Sequence, residues 1–141
     1  MTDTPSPYHE VVERNWQRAE PYIEAALLHA GGTHTTADIL SGIAAGHLHL
    51  WIGERCAAVS EILNFPRKRA LNLFLAGGDL TELQSLAPGV EAFARAQGCA
   101  TVMATARLTT GARKGLDRVS AWLATFAGYE PGHILCTKDL P

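Results

Sequence analysis

Residues 71 to 79 read LNLFLAGGD, an apolar run that stops at Gly77, Gly78 and Asp79. A strand ending in glycines lets backbone N–H groups converge with no side chain in the way, which is the arrangement a bound phosphate requires. The next residues oppose that reading. Asp79-Leu80-Thr81-Glu82 spells a helix start, with Asp79 at the cap and Glu82 at the third helical position. Two carboxylates in a first turn suit the helix dipole and repel a diphosphate. Arg107, Arg113 and Lys114, which follow a later strand, would offset part of that repulsion.

Glu61 is the most anomalous single residue. It stands inside the strand-like run CAAVSEILNF, on the same face as Val59 and Leu63 by alternation. A carboxylate among apolar neighbours either has a partner or has a raised pKa, and the second property suits a general base. If the opposite face is the buried one, Glu61 simply faces water. His47 and His49 lie two apart on one strand face, a spacing metal sites use. No Asp, Glu or Cys stands at a completing position, so no metal is expected. His49 and Trp51 can instead border an acceptor site, with His49 a second catalytic candidate. Thr33 and His34, in the loop GGTHTT, are candidates for substrate contact, because function concentrates on loops. The threonines there serve equally well as helix caps.

The bulk properties narrow the classes. With 141 residues, 47% hydrophobic and 18% charged, the chain is expected to be one domain at residues 8–141 behind a flexible 1–7. A net charge of −2 gives no reason to expect nucleic-acid binding. Neither a membrane-spanning run nor a signal-peptide pattern appears, so a cytoplasmic location is expected. Cys56, Cys99 and Cys136 form no C-x-x-C pair and read as small core residues.

Several elements must position these groups. From Tyr8 to about Ala30, apolar residues recur at three- and four-residue steps, predicting a helix that Pro21 kinks or splits. TADILSGIAAG predicts a second helix, capped by Thr35 or Thr36 and closed by Gly46. The period then falls to two. GHLHLWIGE, CAAVSEILNF and ALNLFLAG, joined by the short links GER and PRKR, predict an antiparallel meander. Helical periodicity returns in TELQSLA and in VEAFARAQ, the latter started by Pro88 and stopped at Gly98. A strand CATVMATA, a helix from Arg113 to Phe126 and a strand HILCTK complete the pattern. The expected class is α/β, with a mixed sheet of about five strands: an antiparallel meander followed by β-α-β-α-β.

This order resembles the GNAT superfamily of N-acetyltransferases. The ending AWLATFAGYEPGHIL resembles that family's last helix, its Gly-aromatic turn (Gly128-Tyr129) and the strand after it. AFARAQGCATVMATAR resembles its central helix and fifth strand. More narrowly, GGTHT, WIGERCAAVSEI and FPRKRALNLFLAGGD are similar to small GNAT-like proteins of phage and prophage genomes. The resemblance implies a GNAT-like fold with a trimmed N-terminal edge and acetyl-CoA as cofactor. The cofactor would lie where two strands splay, held by main-chain groups of Leu75, Ala76, Gly77 and Gly78, with Arg107 and Arg113 nearby. It also implies an amine acceptor approaching from Gly31 to Thr36, with Glu61 or water as base.

Three departures from the family pattern stand out. AGGDLTEL does not match the pyrophosphate-loop pattern Gln/Arg-x-x-Gly-x-Gly/Ala. Ala124 occupies the place of the usual tyrosine acid, and no first strand precedes the first helix. Two functions are therefore carried forward. One is an acetyl-CoA-dependent N-acetyltransferase of phage or prophage origin, working in the host cytosol on a small-molecule or protein amine. The other is a catalytically silent GNAT-like module that binds a phage or host protein or sits in the virion.

Overall fold

Trp16, Ala19 and Ile23 recur on one side of the first helix, and all three are buried. In a computed structural model, which describes residues 7–28, 32–104, 138, 140 and 141, that helix (α1) runs over Pro7–Leu27. The helix is not split at Pro21. Proline removes one N–H and crowds the carbonyl four residues back. Here that carbonyl belongs to Gln17, and both Gln17 and Pro21 face solvent, so water can satisfy it. The buried stripe on the other side keeps the helix whole.

The second helix (α2, Thr36–Ala44) opens on a full capping box. Thr35 Oγ1 accepts from the Asp38 N–H at 3.2 Å, and Asp38 Oδ2 accepts from the Thr35 N–H at 2.9 Å. The Thr35 backbone N–H first and the Thr35 hydroxyl second, with a smaller contribution from His34, hold the Asp38 carboxyl below its ordinary value. Gly46, at φ 80°, takes the left-handed turn that closes the helix.

Three strands then form the expected meander: β1 (Leu48–Ile52), β2 (Cys56–Asn64) and β3 (Arg69–Gly78). After α3 (Leu80–Ser85) and α4 (Ala87–Ala96), β4 (Thr101–Ala104) pairs parallel to β3. The sheet order is β1-β2-β3-β4, giving four strands among the described residues. The expected Arg113–Phe126 helix and the HILCTK strand lie outside them. The chain divides into two units, Met1–Thr105 and Ala106–Pro141, and α1 to α4 and β1 to β4 all belong to the first.

Each face of the sheet has its own core. On one face Ala57, Val59 and Leu75 pack with Trp16, Ala19 and Ile23 of α1 and Ile39 of α2. On the other, Leu71 packs with Val90 and Ala94 of α4, flanked by Trp51, Phe93, Cys99 and Val102. Full burial of an aliphatic side chain contributes about 1.5–3 kcal/mol, so Ile23, Ile39, Val59 and Leu71 dominate the hydrophobic term. No described helix is long and apolar enough to cross a membrane.

One irregularity changes what β3 presents. Val59 pairs with Leu75 but Ser60 pairs with Leu73, so Phe74 is an extra residue, a β-bulge. Alternation alone would set Leu71, Leu73 and Leu75 on one face. Instead Leu73 lies with the α4 core while Phe74 and Leu75 both lie with the α1 core.

Candidate functional site

The bulge at Phe74 lies in the C-terminal half of β3. The described β3–β4 pairing covers Ala70 to Leu73, and β3 continues to Gly78. Over this stretch sits the loop between α1 and α2. The His34 ring is 5.5 Å from that of Phe74, tilted by 39°, and His34 Nδ1 lies 2.9 Å from Thr33 Oγ1. Thr33 and His34, expected to meet substrate, are thus next to the strand segment expected to hold the cofactor.

Glu61 belongs to the same face. It pairs across the meander with Leu48 and with Asn72, and Leu48 packs into the α1 core. Asn72 Nδ2 donates to Glu61 Oε1 at 3.2 Å. Glu61 is half-buried and Asn72 is 8% exposed, so the carboxylate is oriented by a neighbour while keeping a route to solvent. Two residues along a strand is about 7 Å, which puts the Glu61–Asn72 pair one repeat from Phe74.

His49 does not join this group. It pairs with Ser60 on the opposite face of the sheet, where its ring lies 4.7 Å from Phe93. Ser60 is fully buried; its Oγ accepts the Trp51 indole N–H at 2.8 Å and lies 3.1 Å from His49 Nδ1. Glu61 and His49 therefore cannot act on one reacting centre, since the sheet separates them. Burial lowers the His49 pKa from its ordinary 6.5, and the Ser60 hydrogen bond restores part of that.

A folded-state value below the unfolded one means that the unfolded chain binds the proton more readily. Stability is then present above about pH 6.5 and is lost as the pH falls through the folded value. His49→Gln is expected to flatten the pH dependence of the urea midpoint below 6.5 relative to the parent protein. Ser60→Ala, which strands the Trp51 donor, is expected to cost about 1–3 kcal/mol in the same titration.

The glycines have local causes. A Cβ on Gly77 would run into the backbone carbonyl of Tyr22 in α1. Gly78 has φ 103°, and a Cβ there would lie 2.7 Å from the Cys56 Cα. Beyond them Asp79 caps α3 as expected, its Oδ1 accepting from the Glu82 N–H at 2.9 Å. Glu82 does not complete the reciprocal box. Its carboxylate turns to the β1–β2 turn and accepts the Arg55 N–H with both oxygens, at 2.9 and 3.1 Å. The Arg55 carbonyl in turn accepts the Asp79 N–H at 2.9 Å. The Cys56 thiol, 3.6 Å from Glu82 Oε1, is pushed up to about 11 by burial first and by the Glu82 charge second. It stays protonated at neutral pH and is no nucleophile.

These contacts test the fit of an acyl-CoA at this turn. The Glu82 amide is taken by Asp79, the Asp79 amide by the Arg55 carbonyl, and two carboxylates stand where the GNAT resemblance would put a diphosphate. The turn does not fit that part of the cofactor. Leu75 to Gly78 remain an extended segment at the end of β3, and Arg107 and Arg113 lie outside the described residues. Among the described residues, no group of three His, Cys, Asp or Glu side chains is placed to hold a metal.

Sequence reasoning missed Asn72, Phe74 and Arg55. Asn72 had a signal: a polar residue inside LNLFL, which falls opposite Glu61 once the turn after Asn64 fixes the hairpin register. The bulge at Phe74 had none in the alternation.

No family model and no curated protein matches the chain. Solved structures do. An aminoglycoside acetyltransferase from an uncultured soil metagenomic sample, in complex with sisomicin, superposes with a TM-score of 0.62 at 11% identity, over 94% of this chain and 91% of that one. The protein TTHA1254 from Thermus thermophilus gives 0.57 at 18% identity, over 92% and 93%. A probable acetyltransferase gives 0.57 at 10%, over 92% of each chain. At these identities the likeness is one of fold, and the fold is the GNAT-like one.

Proposed function

We propose that this protein is a GNAT-type N-acyltransferase that moves an acetyl group from a thioester to an amine. The observation that carries the reading is the bulge at Phe74 in β3, faced by His34 of the α1–α2 loop. Phe74 has no Cα partner on β2, so the ladder is interrupted at the place where this reading seats the substrate. A thioester lies along Leu75 to Gly78, its carbonyl polarised by a main-chain amide at the bulge. The amine enters past Thr33 and His34. Glu61, oriented by Asn72, takes a proton from the ammonium; the amine nitrogen then bonds to the carbonyl carbon, the C–S bond breaks, and the sulfur leaves as a thiol after protonation. Ala124, in place of the family tyrosine, leaves that last proton to water.

The similarity of GGTHT, WIGERCAAVSEI and FPRKRALNLFLAGGD to phage and prophage proteins supports a phage or prophage origin, with action in the host cytosol. The test is thiol release from acetyl thioesters, with and without a panel of primary amines. Amine-dependent release is expected, and its absence with every donor and acceptor would end the proposal. A second reading, a silent module that binds a phage or host protein, is favoured by one observation: Asp79 and Glu82 fill the turn where a cofactor diphosphate belongs. Recovery of the protein as a stoichiometric component of a virion, without turnover, would favour that reading.

A further inference from the structure

The turn between β3 and α3 binds an anion already, and that anion is its own. Asp79 Oδ1 accepts from the Glu82 amide at 2.9 Å, and the Asp79 amide is spent on the Arg55 carbonyl at 2.9 Å. Glu82 lies across the corner, with Oε1 and Oε2 on the Arg55 amide and Oε2 3.9 Å from Arg55 Nε. Arg55, the cation at this corner, is therefore already paired. Gly53 marks how closely the carboxylate is seated, because a Cβ there would collide with Glu82 Oε1 and lie 2.8 Å from Cys56 Sγ. The raised Cys56 pKa reports the same thing from inside: both Glu82 and Asp79 oppose a negative charge next to this turn.

We propose that the Asp79–Glu82 corner is a specificity device, which makes the site take acyl thioesters without a diphosphate tail in preference to CoA thioesters. The proposal rests on the acyltransferase reading and names its donor class. A diphosphate brought to this turn would meet two carboxylates at short range and find two of the turn's amides already bonded. Like charges at such separations oppose binding. A pantetheine-length thioester ends before the turn and meets neither carboxylate. Leu75 to Gly78 are common to both donors, so the corner acts on the tail alone.

The test compares S-acetylpantetheine with acetyl-CoA by calorimetry, using the parent protein, Asp79→Asn and the double variant Asp79→Asn with Glu82→Gln. Both substitutions keep the local structure: asparagine caps a helix as well as aspartate, and glutamine keeps an oxygen for the Arg55 amide. Circular dichroism confirms folding. The parent protein is expected to bind S-acetylpantetheine more tightly than acetyl-CoA, by about threefold or more. The double variant is expected to gain about tenfold or more for acetyl-CoA, on the order of 1.4 kcal/mol, and nothing for S-acetylpantetheine. Parent protein that binds acetyl-CoA as tightly as S-acetylpantetheine, or more tightly, would overturn the proposal, as would a folded double variant with no gain. Binding of neither donor by any of the three proteins has a different meaning: it overturns the acyltransferase reading, and the donor preference with it.

Discussion

Glu61→Gln is expected to lower the rate of acyl transfer by about 10²–10⁴-fold, the range by which a positioned general base contributes. Glutamine keeps the shape of the side chain and an oxygen for Asn72, so folding and thioester affinity should be unchanged. The loss should fall on kcat, with KM for the donor unmoved. Raising the pH supplies more free amine and is expected to recover part of the lost rate. Asn72→Ala leaves the carboxylate but removes the side chain that orients it, and is expected to give a smaller loss. His49→Gln serves as the control. It lies on the far face of the sheet and should leave the rate within about twofold, well short of the loss a general base shows.

The largest expected effect on stability comes from Gly77→Ala. The new methyl would press on the carbonyl oxygen of Tyr22, with the Tyr22 carbonyl carbon at 3.2 Å and its Cα at 3.5 Å. These are backbone atoms of a helix, and no side-chain rotation relieves them. Helix α1 must move off β3, and overpacking of this kind costs about 1–3 kcal/mol, occasionally more. Gly89→Ala provides the contrast. That glycine sits in α4 with nothing within 4 Å of an added Cβ, so alanine should stabilise by about 0.4–1 kcal/mol. Urea midpoints of the two variants should move in opposite directions. Because Gly77 belongs to the proposed donor strand, a folded Gly77→Ala protein is also expected to bind thioesters less well.

Much of the fold can be read from periodicity, and the site only in part. The change from a period of three and four to a period of two at His47, and back after Asp79, reports which faces are buried, and burial decides the element type. The caps at Thr35 and Asp79 are legible for a related reason, since their bonds close within four residues. Glu82 shows where that logic stops. A glutamate at the third helical position can reach back to the cap, but here the Arg55 amide, 27 residues away, takes it. Phe74 and Leu75 show the same limit on the sheet. The bulge is set by the mismatch between β3 and β2, a relation between strands that no window on β3 contains.

The candidate groups divide along the same line. His34, Glu61, Phe74 and Leu75 come to one side of the sheet, and Thr33 adjoins His34 there, because the residues before α2 and the bulged strand meet on that face. His49 is equally conspicuous in sequence, but β-alternation turns it to the other face, under Phe93. Residue type marks both as chemical; only the pairing register separates them.

Nuclear magnetic resonance can locate a thioester seated on the bulged end of β3 with its acceptor entering past the α1–α2 loop. S-acetylpantetheine would be titrated into ¹⁵N-labelled protein and the backbone amides followed. Shifts are expected at Phe74 to Gly77 and at Thr33 and His34, with the amides of His49 and Trp51 unmoved. Shifts confined to the His49–Trp51 face, or none anywhere up to millimolar ligand, would contradict that placement.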